Sequence, residues 1–229
     1  MKTVTINNEI WEICDNEQFE KQNNKYDYKS ITQDYYNKNI CYDSVKKLTD
    51  RGLKQVNIHC MLSNESFDVA WETLQDRLTD PRLENLKAIV FLSLKKKGRG
   101  KSFTPLAQDK FKKIVDFAMK NEIGIGFDSC SAYKYLKSVE DNPNFKTFEM
   151  YSEPCESTAF SSYINCDGKF FPCSFAEDGE FEDGLDAVNC EDFVEDVWNH
   201  PKTQAFREKL LETADKNNLK CRECPLFEI

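Results

Sequence analysis

The sequence predicts an α/β unit with a parallel sheet, followed by a smaller cysteine-rich unit with short strands. Between 42 and 139, apolar strand-like segments alternate with helical patterns, and this order is typical of parallel sheets with crossover helices. Six of the ten cysteines lie beyond residue 141. We therefore expect an α/β unit at 41–140 and a cysteine-rich unit at 141–229. The polar segment 1–40 is left unassigned.

The first elements are a strand pair, a helix and a strand. The strand pair is expected around 3–13, within the polar N-terminal segment. Val45 and Leu48 mark a short helix that stops at Gly52, as helices often do at glycine. The segment 55–62 follows as a strand.

The helix–strand step then repeats. Ser63 or Asn64 can cap a helix that continues to about Leu78. The segment 88–94 is almost continuously apolar, which is typical of a parallel strand buried on both faces. Thr104 and Pro105 open another helix, with Phe111, Ile114, Val115 and Ala118 expected on its inner face. The remaining elements are a strand at 123–127 and a helix at 132–139.

The alternation stops near 141–143. Short aromatic strands are expected at 161–164 and 169–171, and a helix from about Pro201 to Leu211. The turn dipeptide Asp167-Gly168, just before the second short strand, predicts a hairpin.

Composition restricts the function classes. The formal net charge of −9 argues against a broad binding surface for nucleic acids or anionic membranes, because both need clustered cations. We expect neither as a partner. No apolar stretch reaches signal-peptide or membrane-spanning length, which predicts a cytoplasmic protein. Because that compartment keeps thiols reduced, metal binding or catalysis is the favoured use of the cysteines.

Four cysteines have the spacing of a metal site. Cys155 and Cys173 are separated by 17 residues, and Cys221 and Cys224 form a CxxC pair 48 positions further on. A CxxC pair directs two thiolates at one centre, and the hairpin can supply a second pair. An iron–sulfur cluster is favoured over structural zinc or free thiols. For Cys166 and Cys190, which lie in the same region, core packing is favoured over ligation.

The pattern Cys155-x12-Gly168-x4-Cys173, followed by the distant CxxC, resembles the SPASM and twitch extensions of radical S-adenosylmethionine (SAM) enzymes. Because the sequence given stops five residues after the CxxC, the resemblance is to the single-cluster twitch form. Trp198 and the helix containing Phe206 and Arg207 resemble the family segment before the CxxC. The resemblance implies an auxiliary [4Fe–4S] cluster held by Cys155, Cys173, Cys221 and Cys224.

Residues 42–139 resemble the later βα units of the radical SAM partial barrel. The implied fold class is thus a partial, incomplete parallel βα barrel followed by a small cysteine-rich α+β cluster-binding domain. The CxxxCxxC loop that binds the SAM-cleaving cluster is absent, and Cys14, Cys41 and Cys60 are too widely separated to replace it. We therefore do not expect SAM cleavage by this chain alone.

The resemblance implies a role in electron transfer or substrate positioning, during oxidation or modification of a peptide or small molecule. The alternative is a non-enzymatic zinc-binding module that recognises a protein partner. Absorption in the visible range separates the two, because d¹⁰ zinc has no such transitions.

Further candidate residues follow two of the predicted strands. Asn57 and His59 are expected near a strand end, and Asp128 and Cys130 follow the third strand, at the edge where α/β proteins assemble their sites. Cys130 is a candidate hydrogen-atom donor or acceptor or substrate ligand, although packing is favoured. The basic loop 95–101 is predicted to be solvated.

The strands around 56–62, 88–94 and 123–127 are predicted to be buried on both faces, and three such parallel strands without further neighbours leave an open apolar edge. We therefore expect that edge to pair with another polypeptide or to mediate self-association.

Overall fold

The computed structural model of the chain describes residues 2–6, 9–13, 38–177, 181, 183–212, 224, 226 and 227. It confirms a mixed α/β protein with a three-stranded parallel sheet and a small C-terminal unit. The strands are β1 Lys2–Ile6, β2 Glu9–Ile13, β3 Asn57–Leu62, β4 Ala88–Ser93, β5 Ile125–Phe127, β6 Tyr163–Ile164, β7 Lys169–Phe171 and β8 Leu185–Asp186. The helices are α1 Lys38–Asp50, α2 Phe67–Thr79, α3 Gln108–Lys120, α4 Ala132–Ser138, α5 Phe145–Tyr151 and α6 Pro201–Glu212.

The parallel sheet has the order β3-β4-β5, with α2 and α3 as the connections. Asn57 lies opposite Ala88, and Phe91 lies opposite Phe127, so the carboxyl ends of β4 and β5 meet at one edge. In the part of the chain that the structure describes, the sheet does not close into a barrel. The predicted strand pair near the N-terminus is the antiparallel pair β1 and β2.

The prediction that β3 is buried on both faces is wrong. Ile58, Cys60 and Leu62 are buried, whereas Asn57, His59 and Met61 on the other face are exposed. The buried face packs into a core that includes the inner sides of α2 and α3. One face of β3 therefore remains open to solvent.

The segment before α2 and the segment before α3 have different structures. Before α2, the Ser63 hydroxyl accepts the Ser66 N–H at 3.0 Å and the Ser66 hydroxyl accepts the Ser63 N–H at 2.9 Å, a reciprocal arrangement like a capping box. The predicted start of α3 at Thr104 and Pro105 is wrong, because α3 begins at Gln108. The Thr104 N–H is instead held by the Glu65 carboxylate at 3.0 Å, and Pro105 forms a bridge with Ser63.

An unpredicted helix, α5, follows the proposed boundary near 141–143. Its residues Phe145 and Phe148 pack against the larger core, and the Phe148 ring meets Tyr135 edge-on at 6.0 Å. The division into 41–140 and 141–229 stays a prediction, since a segment just beyond it contacts the α/β core.

The C-terminal unit is built on the antiparallel strands β6, β7 and β8. Gly168 forms the predicted turn between β6 and β7 with φ +73°, a conformation that side chains with a Cβ disfavour. A second, smaller core forms from Phe171, Ala176, Phe181 and Phe206. In the described part of the chain, no helix has both the length and the apolar character to cross a bilayer.

Candidate metal centre

Four cysteines line one cavity of about 150 Å³. Three of them, Cys155, Cys173 and Cys224, are predicted ligands. The fourth is Cys130, which comes from the α/β unit. The remaining predicted ligand, Cys221, lies outside the described residues. The structure thus brings together the three predicted ligands that it describes and adds a thiol from elsewhere in the chain.

The hairpin and a buried serine connect Cys155 with Cys173. Cys173 comes two residues after β7, the strand that Gly168 turns back against β6. The Cys155 thiol lies 3.3 Å from the Ser157 hydroxyl, which also hydrogen-bonds the Cys173 sulfur. Ser157 is only 5% exposed, so it is fixed between the two sulfurs.

Backbone N–H groups point at the sulfur of Cys173. Burial raises the pKa of this thiol, while hydrogen bonds from the N–H groups of Phe175 and Ala176 and from Ser157 act in the opposite direction. Such donors stabilise a thiolate, which is the form that binds metals. The loop after Cys173 is thus shaped to hold a ligating sulfur.

Cys224 has a similar surrounding. The contact with Cys130 and the N–H groups of Leu226 and Phe227 lower the pKa of Cys224 to about 7. Two neighbouring backbone N–H groups therefore face each of two predicted ligand sulfurs, Cys173 and Cys224. This arrangement favours negatively charged sulfur at both positions.

Cys130 reaches the cavity from the carboxyl edge of the parallel sheet. It lies on a 3₁₀ turn, Ser129–Ser131, directly after β5 and Asp128. The hydrogen bond with Cys224 is the main reason that the pKa of Cys130 is raised, and burial raises it further. The two units of the chain therefore meet at a pair of thiols.

A buried ion pair lies beside this thiol pair. Lys95 Nζ pairs with the Asp128 carboxylate, and their side chains are only 6% and 19% exposed. The Ser131 hydroxyl donates to the same carboxylate at 2.5 Å and shares a 2.6 Å hydrogen bond with Ser93. The prediction of a solvated loop at 95–101 is therefore wrong at Lys95. The positions of Lys95 and Asp128, just beyond adjacent strands, were a usable sequence signal that the two could meet.

The same loop also contacts the C-terminal unit. Lys97 Nζ donates to the carbonyl oxygens of Ser174 and Glu177 at 3.4 and 2.7 Å. The Lys95 ammonium lies 5.2 Å from the centre of the Phe175 ring, a cation–π distance. Phe175 meets Phe227 edge-on at 6.3 Å, and both rings line the cavity. Basic and aromatic side chains thus close this side of the cysteine cavity.

The segment before the CxxC packs on the other side. Phe206 of α6 lines the cavity. Its neighbour Arg207 donates from Nε to the Thr158 carbonyl at 2.7 Å and lies 4.5 Å over the Trp198 ring. Among the described residues, Arg207 Nη2 is buried without a hydrogen-bond partner. These contacts fix α6 against the loop that carries Cys155.

The donor set fits an iron–sulfur cluster, because the cavity is lined by thiols, the usual protein ligands of such clusters. Four thiolates can also hold zinc, with Zn–S bonds of about 2.3 Å. A cavity of about 150 Å³ can hold a molecule the size of benzene. Thiolates spread around such a volume are suited to bind separate irons of one cluster.

Two other predicted candidates lie elsewhere. Asn57 is the first residue of β3 and His59 the third, so the expectation that they lie at the carboxyl edge is wrong. They are not among the residues that line the cysteine cavity.

Cys166 is exposed in the β6–β7 turn, which contradicts the predicted core packing. Cys190 is partly buried and lies 3.5 Å from the Ala187 carbonyl oxygen.

Comparison with known proteins supports a cluster at this position. Residues 155–225 match the family model for SPASM, an iron–sulfur cluster-binding domain. No curated protein and no solved structure matches the chain. The match includes all four predicted ligands and confirms the SPASM part of the predicted resemblance, while the α/β unit lies outside it. Over residues 155–225 the C-terminal unit is therefore similar to the iron–sulfur cluster-binding domains of the SPASM family.

Proposed function

We propose that the C-terminal unit binds one auxiliary [4Fe–4S] cluster through Cys155, Cys173, Cys221 and Cys224. The observation that carries the proposal is the shared cavity of Cys155, Cys173 and Cys224, inside the region that matches the SPASM model. The β6–β7 hairpin brings Cys173 back towards the loop that carries Cys155, and Cys224 approaches the same cavity from a later part of the chain.

The residues around the cavity have different roles in holding the proposed cluster. The four thiolates hold the irons, and the backbone N–H groups after Cys173 and Cys224 offset the negative charge on two of the sulfurs. Phe175, Phe206 and Phe227 limit the access of water to the site. A cluster with four protein thiolates supplies one-electron chemistry and has no iron left open for a substrate. We therefore assign the site to electron transfer or to bracing of a substrate-binding surface.

We further propose that residues 41–140 are a partial βα barrel of radical SAM ancestry and that 141–229 form the cluster domain. The consecutive parallel order of β3, β4 and β5 supports this proposal. The 229 residues contain no CxxxCxxC motif, so SAM cleavage would need that motif from outside these residues. On this proposal, the protein serves oxidation or modification of a peptide or small molecule.

Anaerobic purification with iron, sulfide and zinc analysis tests the cluster. We expect about four irons and four sulfides per chain, with visible charge-transfer absorption. Cys155→Ala should lower the iron content, whereas Cys166→Ala, which removes an exposed thiol of the same unit, should leave it unchanged. A colourless protein with one zinc per chain would overturn the proposal and establish the zinc-binding alternative.

A further inference from the structure

A second cavity lies at the open edge of the parallel sheet. Its volume is about 340 Å³, and its walls are β5, residues of α4 and α5, and the segment that ends at Glu156. We call it the edge pocket. A cavity of this size is within the usual range of ligand-binding sites. The edge pocket and the cysteine cavity share Ser129 and Glu156 as lining residues, so the two cavities are adjacent.

Aromatic rings form a row along the edge pocket. The centres of the Phe127 and Tyr135 rings are 4.7 Å apart, and Tyr135 meets Phe148 at 6.0 Å. A fourth lining ring, Tyr151, is 78% exposed and therefore lies where the pocket opens to solvent. The faces of such rings attract cations, and their apolar surface can cover an alkyl chain. The row is thus suited to a long side chain that ends in a positive charge.

The charged residues of the edge pocket favour the same ligand. Its described lining residues include the carboxylates of Glu153 and Glu156 and contain no Lys or Arg. In the part of the chain that the structure describes, neither carboxylate has an ion-pair partner. A third lining carboxylate, Asp128, is already paired with Lys95. Two negative charges therefore remain available beside the aromatic rings, which disfavours an anionic ligand and favours a cationic one.

The main chain of β5 adds a third element of recognition. The Asp128 N–H donates to the Phe91 carbonyl at 3.2 Å and so points towards β4. Because main-chain groups alternate in direction along a strand, those of Ile125 and Phe127 point to the open edge, where both residues line the pocket. Among the described residues, no strand pairs with β5 on that side. An extended peptide can pair with such an edge, and a pocket beside it can select a side chain.

We propose that the edge pocket binds an extended peptide that pairs with β5 and places a cationic side chain against Glu153 and Glu156. The aromatic row covers the alkyl part of that side chain, and the carboxylates hold its charge. The inference goes beyond the proposed function, because this binding requires no cluster. A peptide bound here would nevertheless lie beside the cysteine cavity, since Glu156 belongs to the walls of both.

Isothermal titration calorimetry of the reconstituted full chain tests the proposal. The probe is a five-residue peptide of valine and threonine with a central lysine and blocked ends, a composition that favours the extended conformation. Three further probes are the peptide with acetyl-lysine, which removes the charge, the peptide with N-methyl groups on its three central residues, which blocks pairing, and butylamine. Both modified peptides should bind about tenfold more weakly than the lysine peptide, and butylamine more weakly still.

Variants of the chain identify the carboxylates. Glu153→Gln combined with Glu156→Gln should weaken binding of the lysine peptide about tenfold, and Glu153→Gln alone, which is further from Cys155, about threefold. The acetyl-lysine peptide should bind the unaltered chain and the double variant alike. Glu140→Gln is the control, because Glu140 pairs with Lys137 at the surface, and it should bind the lysine peptide as the unaltered chain does.

Three results would overturn the proposal. Absence of binding by every probe would show that the edge pocket is not a peptide site, and equal affinity for the lysine and acetyl-lysine peptides would show that it does not recognise charge. Butylamine binding as tightly as the lysine peptide would make the pocket a site for small cations. Failure of the proposed function looks different, because the chain would then hold no iron while still binding the lysine peptide.

Discussion

Replacing Gly168 with alanine is expected to destabilise the β6–β7 hairpin by about 1.5–3.5 kcal/mol. Gly168 has φ +73°, where a residue with a Cβ pays about 1–2 kcal/mol. The new methyl group would lie 2.3 Å from Cγ2 of Val188, so that side chain must move. Val188 is 70% exposed and can rotate, and leaving its preferred rotamer costs about 0.5–1.5 kcal/mol.

Hydrogen exchange of the β6 and β7 amides in the metal-free chain measures this loss. Since 1.4 kcal/mol corresponds to a factor of ten, the exchange should become roughly 10- to 300-fold faster where local opening controls it. Reconstitution of Gly168→Ala with iron and sulfide should also be less complete, because the hairpin positions Cys173 relative to Cys155.

Two controls separate backbone strain from crowding. Gly52 has φ +89° and no atom within 4 Å of the position that a Cβ would take, so Gly52→Ala should lose only the backbone part, at the end of α1. Adding Val188→Ala to Gly168→Ala should recover the part due to crowding. If Gly168→Ala exchanges no faster than the original chain, or if Val188→Ala recovers nothing, the steric reasoning is wrong.

Three further predictions concern charges and association. Lys95→Met should destabilise the chain by about 3–5 kcal/mol in urea unfolding, because it leaves the mostly buried Asp128 carboxylate without its cation. Lys137→Met, in an exposed ion pair, should cost less than about 1 kcal/mol, and equal losses in the two variants would contradict this prediction. The hydrogen bond from the Thr104 N–H lowers the pKa of the Glu65 carboxyl from 4.5 to about 2. The stabilising contribution of this hydrogen bond should therefore be complete above pH 4.5 and lost as the pH falls towards 2. An NMR titration midpoint of Glu65 near 4.5 would refute the prediction. The open edge of the parallel sheet should make the isolated chain self-associate in light scattering unless a partner is supplied, and a stable monomer at high concentration would count against it.

Much of the α/β unit follows from local sequence patterns. The four apolar residues expected on the inner face of α3, Phe111, Ile114, Val115 and Ala118, are all fully buried. The predicted strand at 88–94 differs from β4 by one residue. Such elements are predictable because a helical or strand period is visible within a few turns of chain. The start of α3 was not predictable in this way, because the N–H of Thr104 is held by the side chain of Glu65, 39 positions away.

The candidate site was predictable only in part. The spacing of Cys155 and Cys173 around a glycine turn is a local pattern, and the hairpin follows from it. The sequence around β3 also alternates polar and apolar residues, a period-two signal that should have predicted one exposed face. The meeting of Cys130 with Cys224 has no local pattern, since it depends on how two units of the chain pack together.

The contact between Cys130 and Cys224 has a consequence for the order of folding. These residues are 94 positions apart, so closing that loop in an unfolded chain costs about 4 kcal/mol of entropy, from (3/2)RT ln n. The α/β unit, which is synthesised first, can form its parallel sheet from contacts much closer in sequence. The wall of the cavity that contains Cys130 is therefore expected to form before the last cysteines leave the ribosome. Iron would then bind late, to a chain in which this wall of the cavity has already folded.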